Sequence, residues 1–200
     1  MSIKISGTGS FIPKNIIKND FFLDSEFYDK NGEPYPNSNK DIIEKFESIT
    51  GIKERRYADK NHNTSDLATL ASKEAIKDAG IDKEEIDYII LAHNFGEIDH
   101  GTNQYIALPS VATLVKHKLE IKNDNCVAYD IIFGCPGWVE GIIQAKAFIN
   151  SGMAKKCLVI GADTLSRTVD KNDRDSLIFA DGAGAVIIEE SQEQGGVLSH

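Results

Sequence analysis

The sequence predicts an α/β fold in which a mostly parallel sheet carries helices on both faces. Short apolar runs that are typical of buried strands alternate along the chain with helical patterns of apolar residues. Residues 87–92 are almost continuously apolar, which indicates a strand that is covered on both faces. The 200 residues are enough to build one sizeable domain of this class around a hydrophobic core.

The first part of the chain contains a strand, a loop and two helices. We predict a strand at residues 3–11 and a helix at residues 41–49, separated by a polar surface loop at residues 25–40. A second helix begins at Thr64, because Thr, Ser and Asp are favoured at helix N-termini, and it ends at Gly80. The strand at residues 87–92 comes next.

The second part continues the same alternation. Residues 93–107 show little periodicity and indicate a functional loop, and Pro109 opens the next helix. A strand precedes Cys135 and a long helix follows it. The remaining elements are a strand at residues 156–162, a glycine-rich turn at residues 181–184 and a last strand at residues 185–189.

The composition is that of an ordinary globular protein, with 41% hydrophobic and 26% charged residues. The three cysteines are widely spaced, which favours a reducing, cytoplasmic location over a disulfide framework. We find no signal-peptide pattern, no membrane-spanning apolar run and no metal-like spacing of His and Cys. The net charge of −9 argues against nucleic acid as the main partner. We therefore expect no metal, no nucleic acid and no membrane.

Two features suggest ligand binding only weakly. The first is a pair of basic clusters, for each of which a solvated charged face is the simpler interpretation. They consist of Lys53, Arg55 and Arg56, and of Arg167, Lys171 and Arg174. The second is the glycine-rich segment at residues 181–184, which lacks a third glycine and precedes a strand rather than a helix. We interpret it as a tight bend and not as a nucleotide site.

Cys135 is the strongest candidate for a reactive side chain. It follows an apolar strand and the predicted turn at Gly134, and Pro136 after it is well tolerated at the first position of a helix. A helix N-terminus would favour the thiolate of Cys135, which is the nucleophilic form. The alternative is a small, inert core residue. His93 or His100 could serve as a base, but nothing in the sequence ties either of them to Cys135.

Six segments, taken in order, resemble one family. They are GTGSFIP at residues 7–13, TGIKERR at 50–56, LPS at 108–110, AYD at 128–130 with Cys135 five residues on, GADTLSRT at 161–168 and FADGAGA at 179–185. Their order and spacing resemble 3-oxoacyl-acyl-carrier-protein synthase III (beta-ketoacyl synthase III), a condensing enzyme of the thiolase superfamily. The resemblance implies a thiolase-like fold of which residues 1–200 form the N-terminal half, the C-terminal half lying outside this chain.

The resemblance implies a condensation in which Cys135 carries the acyl group. Cys135 would take it from acyl-coenzyme A, malonyl-acyl carrier protein would lose CO2, and the resulting carbanion would attack the acyl-enzyme to initiate fatty-acid synthesis. The backbone N–H of Cys135 would serve the oxyanion hole. Arg167 matches an adenine-contacting position of the family, and Leu108 matches the position that enters the partner subunit's acyl pocket. No cofactor is implied beyond the coenzyme A thioester substrate.

The resemblance also implies parts that this chain lacks or changes. The family's catalytic His and Asn lie in the second half, so we expect the chain alone to turn over slowly or not at all. Lys45 and Ile49 stand where the family often has a Trp that stacks on coenzyme A and a nearby Arg. The surroundings of Cys135 are also unusual, namely Phe133, Gly134, Pro136 and Trp138. The family is homodimeric through the strand before the nucleophile, here residues 126–131.

Three interpretations remain open at this point. The first is a condensing enzyme of fatty-acid synthesis. The second keeps the fold but condenses or transfers a different acyl group for a specialised lipid or polyketide, as the residues around Cys135 suggest. The third is a non-catalytic half that acts only with a partner chain. A thiol hydrolase or redox protein is a weaker alternative, because the sequence shows no resolving Cys and no His tied to Cys135.

Overall fold

The computed structural model of the protein describes residues 2–102, 104–192 and 196–197. Within these residues the strands are β1 (Ser2–Phe11), β2 (Asn15–Lys18), β3 (Glu54–Tyr57), β4 (Tyr88–His93), β5 (Glu97–Ile98), β6 (Tyr105–Ile106), β7 (Val127–Ile132), β8 (Lys156–Thr164) and β9 (Asp181–Ser191). The α-helices are α1 (Asn39–Thr50), α2 (Thr64–Ala79), α3 (Val111–Lys118) and α4 (Gly137–Asn150).

Five strands form the central sheet in the order β1-β9-β8-β4-β7. β4 pairs in parallel with β8 on one side and β7 on the other, whereas β9 is antiparallel to both β8 and β1. Four of the five strands therefore point the same way, which confirms the predicted mostly parallel orientation of the strands. The one correction is β9, which returns antiparallel beside β8 and makes the sheet mixed.

Helices cover both faces of the sheet, as the sequence predicts. Side chains alternate between the faces along each strand, because successive residues of a strand point in opposite directions. On one face, Ile89 and Leu91 of β4 pack in a buried cluster with residues of α2 and α3. On the other face, Ile90 of β4 packs in a second cluster with Ile142 and Ala145 of α4.

α2 lies unusually close to β1, and two glycines make this approach possible. A Cβ atom at Gly7 would overlap the backbone of Ala75, and one at Gly9 would overlap the carbonyl oxygen of Ala71. The helix ends at Gly80, which adopts the left-handed conformation with φ 66°. Its backbone N–H donates to the carbonyl oxygens of Ile76 and Lys77. The predicted limits of this helix are confirmed.

The glycine-rich segment is the clearest error among the predicted elements. The predicted turn at residues 181–184 is instead the first part of β9, which runs without a break to Ser191. Gly184 pairs with Gly161 of β8, and the ring of Trp138 lies over Gly161, where a Cβ would be 3.4 Å from Trp138 Cδ1. At Gly161 the absence of a side chain makes room for an indole ring and does not bend the chain.

Two predicted loops contain more structure than their polarity suggests. Within the loop at residues 25–40, Phe27 is only 4% exposed and packs with Ile42 and Ile43 of α1. In the segment at residues 93–107, His93 ends β4, and β5 and β6 form a short antiparallel pair. None of the helices found in the described part of the chain has the length and apolarity needed to cross a membrane.

Candidate active site

Cys135 lies in the turn that connects β7 to α4. Gly134 has a positive φ of 70°, and its carbonyl accepts a hydrogen bond from the Gly137 N–H at 2.9 Å, which closes the turn. Pro136 is the last residue before the helix rather than its first residue, a difference of one position from the prediction. Cys135 is a free, exposed cysteine, so the alternative of an inert core residue is wrong.

The start of α4 is held close to the sheet by small residues. A Cβ at Gly137 would lie 3.0 Å from the Ala92 Cβ, and a Cβ at Gly141 would lie 2.7 Å from Val159 Cγ1. Any larger side chain at these positions would push α4 away from β4 and β8. The helix N-terminus that follows Cys135 is therefore fixed relative to the ends of the parallel strands.

A partly buried carboxylate fixes the loop that passes beside the Cys135 turn. Asp163, near the end of β8, accepts hydrogen bonds from the Asn94 backbone N–H at 2.9 Å and from Asn94 Nδ2 at 2.7 Å. Burial raises the pKa of the Asp163 carboxyl above its ordinary value, and the bonds from Asn94 oppose that shift. Asn94 Oδ1 is 3.6 Å from where a Cβ of Gly134 would be. The Asn94 loop and the Cys135 turn are thus neighbours at the carboxyl edge of the sheet.

A second, partly buried carboxylate, Asp130 of β7, holds the beginning of α3. It accepts hydrogen bonds from the backbone N–H groups of Val111 and Ala112 at 2.7 and 2.8 Å. His93 Nε2 lies 3.1 Å from Asp130 Oδ2 and completes the group. No hydrogen bond among the described residues joins Cys135 to His93 or to His100, so the structure does not form the Cys-His pair that the sequence left open.

Leu108 lies just before α3. Its exposure of 84% is the highest among the large hydrophobic residues that the structure describes. Ser110 Oγ caps the helix by accepting a hydrogen bond from the Thr113 N–H at 3.2 Å. An exposed leucine next to a firmly capped helix is suited to contact something outside the described chain. Its role in a partner's acyl pocket stays a prediction.

The terminal nitrogens of Arg167 make hydrogen bonds to other residues of the chain. Its two terminal nitrogens donate to Asn63 Oδ1 and to the backbone carbonyls of Ile98, Asp59 and His62, with carbonyl distances between 2.6 and 3.0 Å. These bonds tie the segment before α2 to β5. The guanidinium plane is therefore held rigidly, and a ligand would meet its face rather than its terminal N–H groups.

Arg167 lines a large cavity of about 1180 Å³. Aromatic and polar side chains share the wall, among them Phe21, Phe95, His100 and Lys171. A cavity of this size exceeds the typical range for drug-sized ligands and could hold a long, polar one. Cys135 is not part of its lining, so the described residues do not bring Cys135 and Arg167 into one cavity.

The three other arginines singled out in the sequence, Arg55, Arg56 and Arg174, have partners within the structure. Arg55 is 5% exposed, donates to Asn19 Oδ1 at 2.6 Å and lies 4.9 Å above the Phe22 ring. Arg174 lies 4.5 Å above the ring of Tyr35. Within the cluster of Lys53, Arg55 and Arg56, Arg55 is therefore a structural residue and is not available to a ligand. Lys45 and Ile49 are exposed on α1, and neither lines the large cavity.

The sequence reasoning missed the two carboxylates that organise this edge of the sheet. Asp130 of β7 accepts from backbone N–H groups at the start of α3, and Asp163 near the end of β8 accepts from the backbone N–H of Asn94 after β4. An acidic residue inside an apolar strand pattern was the available signal, because such a residue needs partners when it is buried. Among the described residues, no group of three or more His, Cys, Asp or Glu side chains could hold a metal ion.

Comparisons with known proteins find one family to which the chain is similar. The model of the 3-oxoacyl-[acyl-carrier-protein (ACP)] synthase III family matches residues 129–200, the part that contains Cys135 and Arg167. A beta-ketoacyl-[acyl-carrier-protein] synthase III from Staphylococcus haemolyticus is 38% identical over 201 residues, covering 100% of this chain and 57% of that protein. The corresponding protein from Neisseria meningitidis serogroup B is 42% identical over 193 residues, covering 96% and 53%.

Solved structures agree with this result. The crystal structure of 3-oxoacyl-[acyl-carrier-protein] synthase III from Aquifex aeolicus has a TM-score of 0.79 at 36% identity and covers 96% of this chain and 55% of that chain. The Thermus thermophilus enzyme has a TM-score of 0.76 at 31% identity. The chain spans about half the length of the relatives it matches, and its predicted thiolase-like α/β fold is confirmed. Along nearly its whole length the chain is therefore similar to 3-oxoacyl-acyl-carrier-protein synthase III.

Proposed function

We propose that this chain is the nucleophile-bearing, N-terminal half of a condensing enzyme that initiates fatty-acid synthesis. The observation that carries the proposal is the exposed, unpaired Cys135 in the turn before α4, in a chain similar to this family. A thiol at that position can be approached by a substrate, and the helix N-terminus after it favours developing negative charge. The two other cysteines are buried in the sheet region and have no such access.

The proposed reaction has two stages. The Cys135 thiolate attacks the carbonyl carbon of an acyl-coenzyme A, and the coenzyme A thiolate leaves and takes up a proton, so that a thioester forms on Cys135. Malonyl-acyl carrier protein then loses CO2, and the resulting carbanion attacks the Cys135 thioester. The cysteine is released and the product is a 3-oxoacyl thioester. The backbone N–H of Cys135 is the proposed oxyanion donor within this half.

Coenzyme A and a second subunit are the proposed partners. The Arg167 cavity is large and carries a rigid guanidinium face and Lys171, which suits the adenine and phosphates of coenzyme A. β7 is an edge strand that pairs only with β4 in the described structure, and exposed Val127 and Ile132 lie at its two ends. An unpaired apolar edge strand is a hazard unless it is covered, which supports a homodimer through β7.

A second function is favoured by the side chains around Cys135. Phe133, two residues before Cys135, is 58% exposed, and Trp138, the second residue of α4, packs over Gly161. Such bulk next to the nucleophile suits an acyl group other than the short chains of fatty-acid initiation, for a specialised lipid or polyketide product. The same fold and the same nucleophile would serve both reactions. A half that acts only as a non-catalytic partner is the remaining alternative.

The test uses a protein in which this chain is joined to the second α/β half. It is incubated with short, branched and long acyl-coenzyme A esters, and its intact mass is measured. A mass gain that Cys135→Ser abolishes supports the proposal, and the ester that reacts fastest distinguishes fatty-acid initiation from a specialised reaction. Addition of malonyl-acyl carrier protein should then discharge the acyl group. A protein that no ester acylates would favour the non-catalytic alternative.

A further inference from the structure

Asp130 joins three elements at a point five residues before Cys135. Its side chain is 13% exposed, and both carboxylate oxygens accept hydrogen bonds. Oδ2 accepts from the Val111 N–H and faces His93 Nε2, while Oδ1 accepts from the Ala112 N–H. The carboxylate therefore links β7, the end of β4 and the start of α3.

The carboxylate is matched to its place at the start of α3. Val111 and Ala112 are the first two residues of the helix, and N–H groups at that position have no acceptor within the helix itself. The positive end of the helix dipole also favours a negative charge there. Asp130 thus supplies both the acceptors and the charge that the first turn of α3 lacks.

His93 strengthens the group from the side of β4. Nε2 can donate to the Asp130 carboxylate when it carries the ring hydrogen. Nδ1 is buried and has no hydrogen-bond partner among the described residues. A buried ring nitrogen without a partner is unfavourable in itself. The bond to Asp130 is therefore the polar interaction that favours a histidine at position 93.

We propose that Asp130 is a positioning residue that fixes the start of α3, and with it Leu108, relative to β7, the strand of the proposed dimer interface, and so sets which acyl chain lengths the partner subunit's pocket accepts. Leu108 lies three residues before Val111, and its exposed side chain depends on the start of α3 for its position. Cys135 follows the same strand that carries Asp130. This inference rests on the proposed function and on the prediction that Leu108 enters the partner subunit's acyl pocket, which serves the Cys135 thioester of that subunit.

The variants separate this role from a general effect on stability. Asp130→Asn keeps the shape but loses the charge and one acceptor, and His93→Phe removes the Nε2 donor while keeping a ring. The matched control is Asp87→Asn. The Asp87 carboxylate also accepts two backbone N–H groups, those of Lys155 and Lys156, but at the opposite end of β4. Each variant is made in the protein that carries both α/β halves.

Two readouts are measured on each variant. Hydrogen exchange followed by mass spectrometry reports the peptide that spans residues 108–118. The rate of reaction with methyl, butyl and decyl methanethiosulfonates reports access to Cys135 without any need for enzyme activity. The Cys135 thiolate attacks the sulfenyl sulfur of the reagent, methanesulfinate leaves, and a mixed disulfide forms. Peptide masses confirm that Cys135 is the residue that reacts.

Asp130→Asn should raise exchange in the peptide at residues 108–118 about tenfold, since a hydrogen bond to a charged acceptor is lost. It should also change the ratio of decyl to methyl rates by about tenfold, the scale on which a pocket discriminates chain length. His93→Phe should act in the same direction and Asp87→Asn should do neither. Unchanged exchange, or a chain-length ratio equal to that of Asp87→Asn, would overturn the proposal. If the exchange rate and the decyl-to-methyl ratio both change in Asp130→Asn, but no acyl-coenzyme A acylates the protein, the positioning role is supported and the proposed function is rejected.

Discussion

At the scale of single residues, exposure separates Cys135 from the other two cysteines. Cys126 is 4% exposed and Cys157 is fully buried, and burial raises the pKa of these thiols to about 11 and about 12. Thiols with such pKa values stay protonated at neutral pH and do not act as nucleophiles. Cys135 lies in an exposed turn, so the sequence position and the structure select the same residue.

This difference predicts selective alkylation. Iodoacetamide at neutral pH should add one group to the folded chain, at Cys135, because only an accessible thiol reacts quickly. Intact-mass measurement should show no addition to the Cys135→Ser variant and three additions to the original chain in denaturant, one for each cysteine. Early labelling of Cys157 in the folded chain would contradict this account of the core.

The same buried groups predict a loss of stability at high pH. Cys126, Cys157 and Tyr129, whose pKa burial raises to about 12, all ionise more easily in the unfolded chain than in the folded one. Their folded pKa values lie above the unfolded values, so stability is retained below about pH 8.5 and falls as the pH rises from there to about 12. The slope is at most about 1.4 kcal/mol per pH unit for each group.

Denaturant unfolding at a series of pH values measures this slope. Cys157→Ala should lower the free energy of unfolding at neutral pH, because it removes buried volume, but it should also make the decline above pH 9 less steep. A decline of equal slope in both proteins would show that Cys157 does not contribute to it.

At the scale of secondary-structure elements, local sequence signals predicted the ends of a helix correctly, but they did not show whether a glycine-rich segment forms a turn or part of a strand. The limits of α2 followed from the residues at its two ends, which determine where a helix can start and stop. The segment at residues 181–184 was misread, because a glycine in a strand and a glycine in a turn look alike in sequence. What distinguishes them is the pairing of residues 181–184 with β8 and β1, and one sequence read locally does not contain it.

The close approach of α2 to β1 predicts a large effect of one methyl group. Gly9→Ala should lower the free energy of unfolding by about 2 kcal/mol or more, because its Cβ would overlap the backbone of α2. Gly184→Ala is the matched control, since Gly184 pairs with Ser10 next to Gly9 and a Cβ there meets nothing within 4 Å. Urea unfolding of both variants makes the comparison. Equal losses would mean that α2 does not depend on Gly9 for its packing.

At the scale of the whole molecule, the candidate site was predicted only in part. Cys135 could be found because strand, turn and helix signals converge on it within a short stretch of sequence. Asp130, His93 and Asn94 could not be assigned roles, because their partners lie between 18 and 69 residues away along the chain. The sheet brings these residues together at the carboxyl ends of its parallel strands, where α/β folds commonly bind ligands.

The exposed edge of β7 predicts a homodimer that a charge can weaken. Ile132→Lys should shift the protein toward the monomer, because a lysine on an edge strand opposes pairing with a second copy. Met153→Lys is the control, since Met153 is 60% exposed and lies at the far end of the sheet, just before β8. Analytical ultracentrifugation over a range of concentrations gives the dissociation constants. If Met153→Lys weakens the dimer and Ile132→Lys does not, the interface lies elsewhere.

The central claim is that Cys135 carries a substrate acyl group as a thioester. The most direct measurement incubates the protein containing both halves with acyl-coenzyme A esters, digests it at acidic pH and weighs the peptides that contain Cys126, Cys135 and Cys157. The account predicts an acyl group on the Cys135 peptide alone, removable by neutral hydroxylamine. An unmodified Cys135 peptide with every ester, or an acyl group on either buried cysteine, would contradict it.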